Sequence, residues 1–179
     1  MLDKLKPFIP LRAAGSFLYY NQNEMVKQIL WEMKYNNNKE LAMEMGRLAA
    51  GGQEIMFQDA AEVIIPIPLH KTKLRIRGYN QTEYFAIGLH EVTGIPILND
   101  QLKRIKKTSS QTKLNRQDRF QNLDNAFAIE DATTIQGKRV LLLDDVVTTG
   151  ATLISAAQAL LDSGCASLNI YTLASAFEM

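Results

Sequence analysis

The spacing of apolar residues predicts two helices in the first third of the chain. From Glu24 to Tyr35 apolar positions recur every three or four residues, the period of a helix with one buried face. The same pattern runs from Lys39 to Ala50, after Asn38, whose side chain suits the position before a helix. Residues 1–20 show no such period, and we predict an irregular lead-in there.

Short apolar runs predict the strands of the remaining chain. The predicted strands are Val63–Ile65, Ile95–Leu98, Leu102–Ile105, Ala126–Ile129, Arg139–Leu143 and Leu168–Leu173, with helices at Gly78–Val92 and Ala151–Ser163. The basic stretch His70–Arg77 is predicted to be a loop. This alternation predicts an α/β fold with a mostly parallel central sheet and flanking helices. A chain of 179 residues fits one domain, with residues 1–60 as a helical lead-in and 61–179 as the core.

Composition narrows the class of protein. The chain is 46% apolar and 22% charged, which is typical of a globular protein. Its one cysteine, Cys165, cannot form a disulfide within the chain or a Cys-based zinc cluster, so no zinc is expected. No run approaches the roughly 20 apolar residues that span a bilayer, and residues 1–11 lack the apolar region of a signal peptide. We therefore expect a cytoplasmic protein without membrane insertion.

Charge is unevenly distributed along the chain. Between His70 and Arg119 there are 11 Lys and Arg against 4 Asp and Glu, whereas the rest of the chain has 9 against 15. This asymmetry indicates a basic surface that faces an anion. The alternative is a solvated basic loop without a ligand.

The segment Val140–Thr152 combines features suited to a sugar phosphate. A buried strand is followed by Asp144 and Asp145, and then by a Thr-rich turn with Gly150 that opens a helix. Ligands dock at the carboxyl ends of parallel strands, and a helix N-terminus attracts phosphate. Carboxylates accept hydrogen bonds from sugar hydroxyls and suit a hard divalent cation. The alternative is that the acids and threonines merely cap the helix.

With these residues in this order, Val140–Thr152 resembles the binding signature of type I phosphoribosyltransferases for 5-phosphoribosyl 1-pyrophosphate (PRPP). The resemblance implies that Asp144 and Asp145 hold the ribose hydroxyls, with Mg²⁺ near them through those hydroxyls or water. It also implies that the turn holds the 5′-phosphate through Thr148, Thr149, Gly150, Ala151 and Thr152. The segment contains neither Gly-Lys-Ser/Thr nor Gly-x-Gly-x-x-Gly, so other phosphate-binding loops are disfavoured.

A second resemblance covers about nine tenths of the chain. The motifs that carry it are Pro66-Ile-Pro-Leu-His70, Arg77-Gly-Tyr-Asn-Gln81, Arg104, Ser110-Gln111, Arg116, Arg119 and Asn125-Ala-Phe127, with Phe17–Ala50 as a helical lead-in. Together they resemble the ComF family, whose members are phosphoribosyltransferase-like proteins linked to natural competence. Members commonly carry an N-terminal Cys-rich zinc module, and this sequence has none. A homodimer is a further family expectation.

The resemblance also implies roles for the basic segments. Leu69–Lys73, which includes His70, corresponds to a loop that receives pyrophosphate through its backbone N–H groups, together with Lys71 and Arg77. Arg104 precedes Lys106–Lys113, which corresponds to a mobile loop that closes over the site, and Arg104 is expected to assist catalysis with the two acids.

Three functions remain open at this point. The first is a phosphoribosyltransferase that displaces pyrophosphate from PRPP with Mg²⁺ and an unknown acceptor. The second is a non-catalytic module that binds a phosphoribosyl group or single-stranded DNA and acts with competence proteins. The third, which the sequence does not separate from the second, is a regulator that senses PRPP and changes its protein contacts. Tyr79, Tyr84 and Phe120 are candidates for stacking on bases, although core positions suit them better.

Overall fold

The computed structural model describes residues 2–20, 24–51, 57, 59–105 and 126–176. Its helices are α1 Leu2–Leu5, α2 Glu24–Tyr35, α3 Lys39–Ala50, α4 Lys71–Arg77, α5 Gln81–Thr93 and α6 Ala151–Asp162. Its strands are β1 Ala13–Tyr19, β2 Val63–Pro66, β3 Leu102–Arg104, β4 Phe127–Ile129, β5 Arg139–Val147 and β6 Ser167–Ser175. None of the helices in these ranges is long and apolar enough to cross a membrane.

A parallel four-stranded sheet in the order β1-β6-β5-β2 forms the centre of the molecule, which confirms the predicted sheet. β3 and β4 form a separate antiparallel pair. Side chains of β5 alternate between the two faces, as the period of a strand requires. Val140 and Leu142 pack into one apolar cluster, which includes α1 and α6 residues, and Leu141 and Leu143 pack into the other, which includes α2, α3 and α5 residues.

The predictions for α2 and α3 are confirmed. α3 begins after Asn38, whose side-chain oxygen accepts the N–H of Leu41 at 3.0 Å. α3 and α5 cross closely because each has a glycine at the contact. A Cβ added to Gly46 would lie 2.2 Å from the Phe85 carbonyl oxygen, and one added to Gly88 would lie 1.8 Å from the Met43 carbonyl oxygen.

The irregular lead-in predicted for residues 1–20 is wrong. Ala13–Tyr19 forms β1, which pairs in parallel with β6 at one edge of the sheet. Its register joins Ala13 to Asn169 and Tyr19 to Ser175, more than 150 residues away along the chain. The strand therefore depends on a distant partner, which the local pattern of β1 does not reveal.

The predicted loop His70–Arg77 is also wrong, because Lys71–Arg77 is a helix. The His70 imidazole accepts the N–H of Thr72 at 3.2 Å at the start of α4. At its other end Gly78 has φ 76°, a left-handed conformation that glycine adopts without strain and that ends the helix. Because Gly78 is left-handed, the next helix does not begin there as predicted. It begins at Gln81, after Asn80, whose side chain accepts the Thr82 N–H.

Candidate functional site

The two acids lie at the carboxyl end of β5, between the neighbouring strands β2 and β6. The turn that follows exposes Thr148 and Thr149 and buries Gly150. Gly150 has φ 81°, and α6 begins directly after it. A Cβ at Gly150 would lie 2.6 Å from a methyl carbon of Leu5. The turn therefore needs glycine here both for its backbone conformation and for its contact with α1.

Ala151 and Thr152 stand in the first turn of α6. The N–H groups of a first turn have no partner within the helix, and the positive end of the helix dipole lies there. The Ala151 N–H lies 3.5 Å from the hydroxyl oxygen of Thr149, a long contact. The turn thus presents backbone and hydroxyl donors together, an arrangement suited to a phosphate.

Asp145 is held by donors from three parts of the chain. Its Oδ2 accepts the Gln81 side-chain N–H at 2.7 Å and lies 3.0 Å from Lys34 Nζ, while its Oδ1 accepts the Val146 N–H at 2.7 Å. Burial alone would raise the pKa of Asp145, but Lys34, Gln81 and the Val146 N–H together lower it below the ordinary carboxyl value. Asp145 is therefore a preformed carboxylate.

Asp144 has the opposite electrostatic character. Its Oδ1 accepts the Asp145 N–H at 2.8 Å. Burial, and then the adjacent charge of Asp145, raise the pKa of Asp144 well above its ordinary value. The pKa values of the neighbouring acids are thus shifted in opposite directions, because two adjacent carboxylates in a partly desolvated site do not readily ionise together. Asp145 is the stronger acceptor of the two for a sugar hydroxyl.

Cations from several elements surround the acids. Burial lowers the pKa of Arg104, and the nearby charge of Asp144 opposes this shift. Burial lowers the pKa of Lys73, and the charges of Arg77 and Arg104 lower it further. A site that brings like charges together in this way favours an anionic ligand such as a phosphate or pyrophosphate.

The other residues predicted to bind pyrophosphate differ in their exposure to solvent. Leu69 and His70 are half-buried, and Lys71 is exposed at the start of α4. The His70 ring nitrogen that faces Thr72 is used as a helix cap, which sequence analysis did not foresee. The mobile loop predicted at Lys106–Lys113 lies outside the described residues.

Sequence analysis missed two residues that contact the acids, Lys34 and Gln81. Gln81 belongs to the motif Arg77–Gln81 and lies where a helix starts. Its place in that motif could have identified it as a site residue. Lys34 carried no signal, since a lysine in the last turn of an amphipathic helix is ordinary.

Of the predicted stacking aromatics, neither of the two that the structure describes is exposed. Tyr79 is buried and its hydroxyl donates to the Met33 carbonyl oxygen, Tyr84 is half-buried, and Phe120 lies outside the described residues. Trp31 and Tyr35 are exposed instead, at 51% and 62%. Their ring centroids lie 6.0 Å apart, and the Arg77 guanidinium carbon lies 5.7 Å from the centre of Tyr35.

The acid pair is compatible with Mg²⁺ held indirectly. Mg²⁺ usually keeps several waters and binds through one or two carboxylates together with substrate phosphates. Among the described residues no three His, Cys, Asp or Glu side chains converge as a direct ligand set. Asp144 and Asp145 are carboxyl groups of the type that Mg²⁺ uses, and they lie beside the turn suited to a phosphate.

Comparisons with known proteins agree with this geometry. Residues 89–177 match the model of the phosphoribosyl transferase domain. The chain is 40% identical over 116 residues to Competence protein F of Haemophilus influenzae, covering 64% of this chain and 51% of that protein. It is 28% identical over 149 residues to the DNA utilization protein YhgH of Escherichia coli K12, covering 81% and 65%. It is 28% identical over 155 residues to Competence protein ComFC of Bacillus subtilis, covering 86% and 61%.

The chain thus spans about half to two thirds of the length of these relatives. Among solved structures, the glutamine PRPP amidotransferase of B. subtilis superposes with a TM-score of 0.50 at 18% identity, over 80% of this chain and 30% of that one. The allosteric regulatory enzyme of purine biosynthesis gives the same TM-score at 19% identity. At this identity the likeness establishes the fold, a phosphoribosyltransferase-like α/β fold.

Proposed function

Because the chain belongs to the ComF family of phosphoribosyltransferase-like proteins, we propose that it binds PRPP at the carboxyl end of β5 and displaces its pyrophosphate. The observation that carries this proposal is the continuity of the acid pair with the Thr148–Thr152 turn. One strand end presents acceptors for ribose hydroxyls, and the adjoining turn presents donors for a 5′-phosphate.

In this reaction the bond between C1′ and the pyrophosphate oxygen breaks, and both of its electrons leave with pyrophosphate. An acceptor's lone pair forms the new bond to C1′. The positive charges of Lys73, Arg77 and Arg104 stabilise the leaving anion, and Asp144 and Asp145 hold the ribose. Mg²⁺, when bound, neutralises further charge on the pyrophosphate. The protein contributes chiefly position and electrostatics.

Calorimetric titration of PRPP in the presence of Mg²⁺ tests the proposal. We expect binding to the wild type and its loss in Asp144→Ala/Asp145→Ala. Asp59→Ala/Asp100→Ala is a matched control, because both of those acids are exposed, and it should bind PRPP as the wild type does. A wild type that does not bind PRPP refutes the proposal. Where binding is found, pyrophosphate release with a panel of amine and nucleobase acceptors measures turnover.

A second candidate function is binding of single-stranded DNA, which the names of the relatives and the exposed pair Trp31 and Tyr35 favour. Exposed aromatic rings beside an arginine suit stacking on unpaired bases. Trp31 is the chain's one tryptophan, so its fluorescence reports directly on this surface. Titration with oligothymidine should quench it, less strongly at high salt and less strongly in Tyr35→Ala. Phe8→Ala, another exposed aromatic, is the control; unchanged fluorescence on titration of the wild type refutes this candidate.

A further inference from the structure

We propose that Lys34 and Gln81 are positioning residues that orient Asp145 toward one ribose hydroxyl. Through them, α2 and α5 would determine whether the site distinguishes ribose from deoxyribose. This inference rests on the proposed function, since it concerns the sugar part of the same ligand.

The contacts of Asp145 define its orientation. Lys34 Nζ and Gln81 Nε2 lie 3.0 and 2.7 Å from Oδ2, and the Val146 N–H lies 2.7 Å from Oδ1. A carboxylate offers about four positions to donors. Three donors therefore fix the carboxylate from α2, from α5 and from β5, and leave room for one ligand hydroxyl. Asp145 is only 8% exposed, so the fixed orientation is not readily lost to water.

Gln81 supplies independent evidence for a missing donor. The residue is 2% exposed, and its Oε1 is buried without a hydrogen-bond partner in the described part of the chain. Its Nε2 faces Asp145, so the amide orientation is set by that contact. A buried acceptor without a donor costs about 1–3 kcal/mol. A hydroxyl group bound beside Asp145 is a donor of the type that this oxygen lacks.

Lys34 adds charge as well as position. It approaches Asp145 from α2, an element outside the β5–α6 motif, and its side chain is 21% exposed. Replacing the ammonium by an apolar group removes one of the three donors and the opposite charge. We then expect Asp145 to adopt other orientations and to lose its preference for a ligand with a hydroxyl at that point.

The test compares sugar phosphates that differ by one hydroxyl. Ribose 5-phosphate, 2-deoxyribose 5-phosphate and 3-deoxyribose 5-phosphate are titrated by calorimetry into the wild type, Lys34→Met, Lys34→Arg and Gln81→Leu. Lys27→Met is the matched control, since Lys27 lies on the same helix and pairs with the exposed Glu24. Circular dichroism checks that each variant is folded. Because Lys34 and Gln81 lie on different helices, their variants test the inference independently.

We expect the wild type to bind ribose 5-phosphate about ten- to a hundred-fold more tightly than one of the deoxy sugars, as befits a hydrogen bond to a charged group. Lys34→Met and Gln81→Leu should reduce this ratio to about three-fold or less, with little change in affinity for that deoxy sugar. Lys34→Arg should restore part of the ratio, and Lys27→Met should keep it. A merely structural role would lower all affinities together.

Three results would overturn the inference, and the last of them is distinct because it also overturns the proposed function. If the wild type binds ribose 5-phosphate but the variants keep its ratio, or if it binds all three sugars equally, the positioning role is wrong while the sugar phosphate site stands. If the wild type binds neither these sugars nor PRPP, the proposed function itself fails and the inference falls with it.

Discussion

Two regions of the molecule build the site in different ways. The β5–α6 segment, Arg139–Asp162, supplies both acids and the phosphate turn from one contiguous stretch of sequence. The helical side, made of α2, α4 and α5, supplies Lys34, Arg77 and Gln81 from three separate elements. The first region carries the groups proposed for the ribose and the 5′-phosphate. The second adds cations of α4 for the pyrophosphate and, through Lys34 and Gln81, sets the charge and orientation of Asp145. A motif therefore identifies the ligand class, but the tertiary packing around it tunes the chemistry.

The largest expected effect comes from disrupting the crossing of α5, on the helical side, with its neighbour α3. Gly88→Ala places a Cβ 1.8 Å from the Met43 carbonyl oxygen, so the helices must move apart. We expect a loss of about 3 kcal/mol or more in the free energy of unfolding, measured by urea denaturation. Gly51→Ala, where the nearest atom lies 3.4 Å from the added Cβ, should be nearly neutral. Equal stability of both variants would show that the crossing is looser than described.

The next effect isolates the phosphate turn. Gly150→Ala forces a left-handed backbone on alanine and brings a Cβ within 2.6 Å of Leu5. We expect PRPP affinity to fall about ten-fold or more, since this strain costs about 1–3 kcal/mol. Gly164→Ala is the matched control, with φ 80° at the far end of α6 and space for the Cβ. If Gly164→Ala weakened PRPP binding equally, the effect would come from helix stability rather than from the turn.

A smaller effect separates the two acids. Burial and the charge of Asp145 raise the pKa of Asp144, so the folded state binds its proton more tightly than the unfolded state does. The stability that this proton provides is complete below the unfolded-state pKa, roughly 4, and is lost as the pH rises through the folded-state pKa. Asparagine resembles the protonated acid. Asp144→Asn should therefore gain stability relative to the wild type as the pH rises from about 4 to 7.

Thermal unfolding measured by circular dichroism between pH 4 and pH 8 provides this comparison. Asp100→Asn serves as the control because the Asp100 side chain is 91% exposed, and it should show no such pH-dependent gain. A stability difference for Asp144→Asn that stays constant with pH would contradict the assigned asymmetry of the pair.

The smallest effect concerns His70. As a helix cap, it should be replaceable by asparagine, whereas His70→Ala should cost about 1 kcal/mol of local helix stability. We expect PRPP affinity to fall a few-fold in His70→Ala, because α4 carries Arg77, and to be retained in His70→Asn. If both variants bind PRPP equally weakly, the imidazole contacts the ligand directly, as the family resemblance implied.

The sequence predicted the parts of the fold whose evidence is local. β5 and α6 form a continuous apolar strand and an amphipathic helix separated by a turn with Gly150, so pattern and chemistry coincide within one segment. α2 and α3 were predictable for the same reason, since each has a helical period and α3 has Asn38 as its cap.

The remaining features depend on contacts that are distant in sequence or on short elements. β1 exists through its pairing with β6, and Lys34 reaches Asp145 only because α2 packs beside β5. α4 has seven residues, none of them buried, so no apolar period was present to predict it. Its cap, His70, is also an uncommon residue for that position.

A crystal structure of the protein with bound PRPP tests the central claim most directly. We predict that the 5′-phosphate lies within hydrogen-bond distance of the Thr148–Thr152 turn and that the ribose hydroxyls lie against Asp144 and Asp145. A 5′-phosphate bound by the cations of α4, with the Thr148–Thr152 turn making no contact to the ligand, would contradict the account.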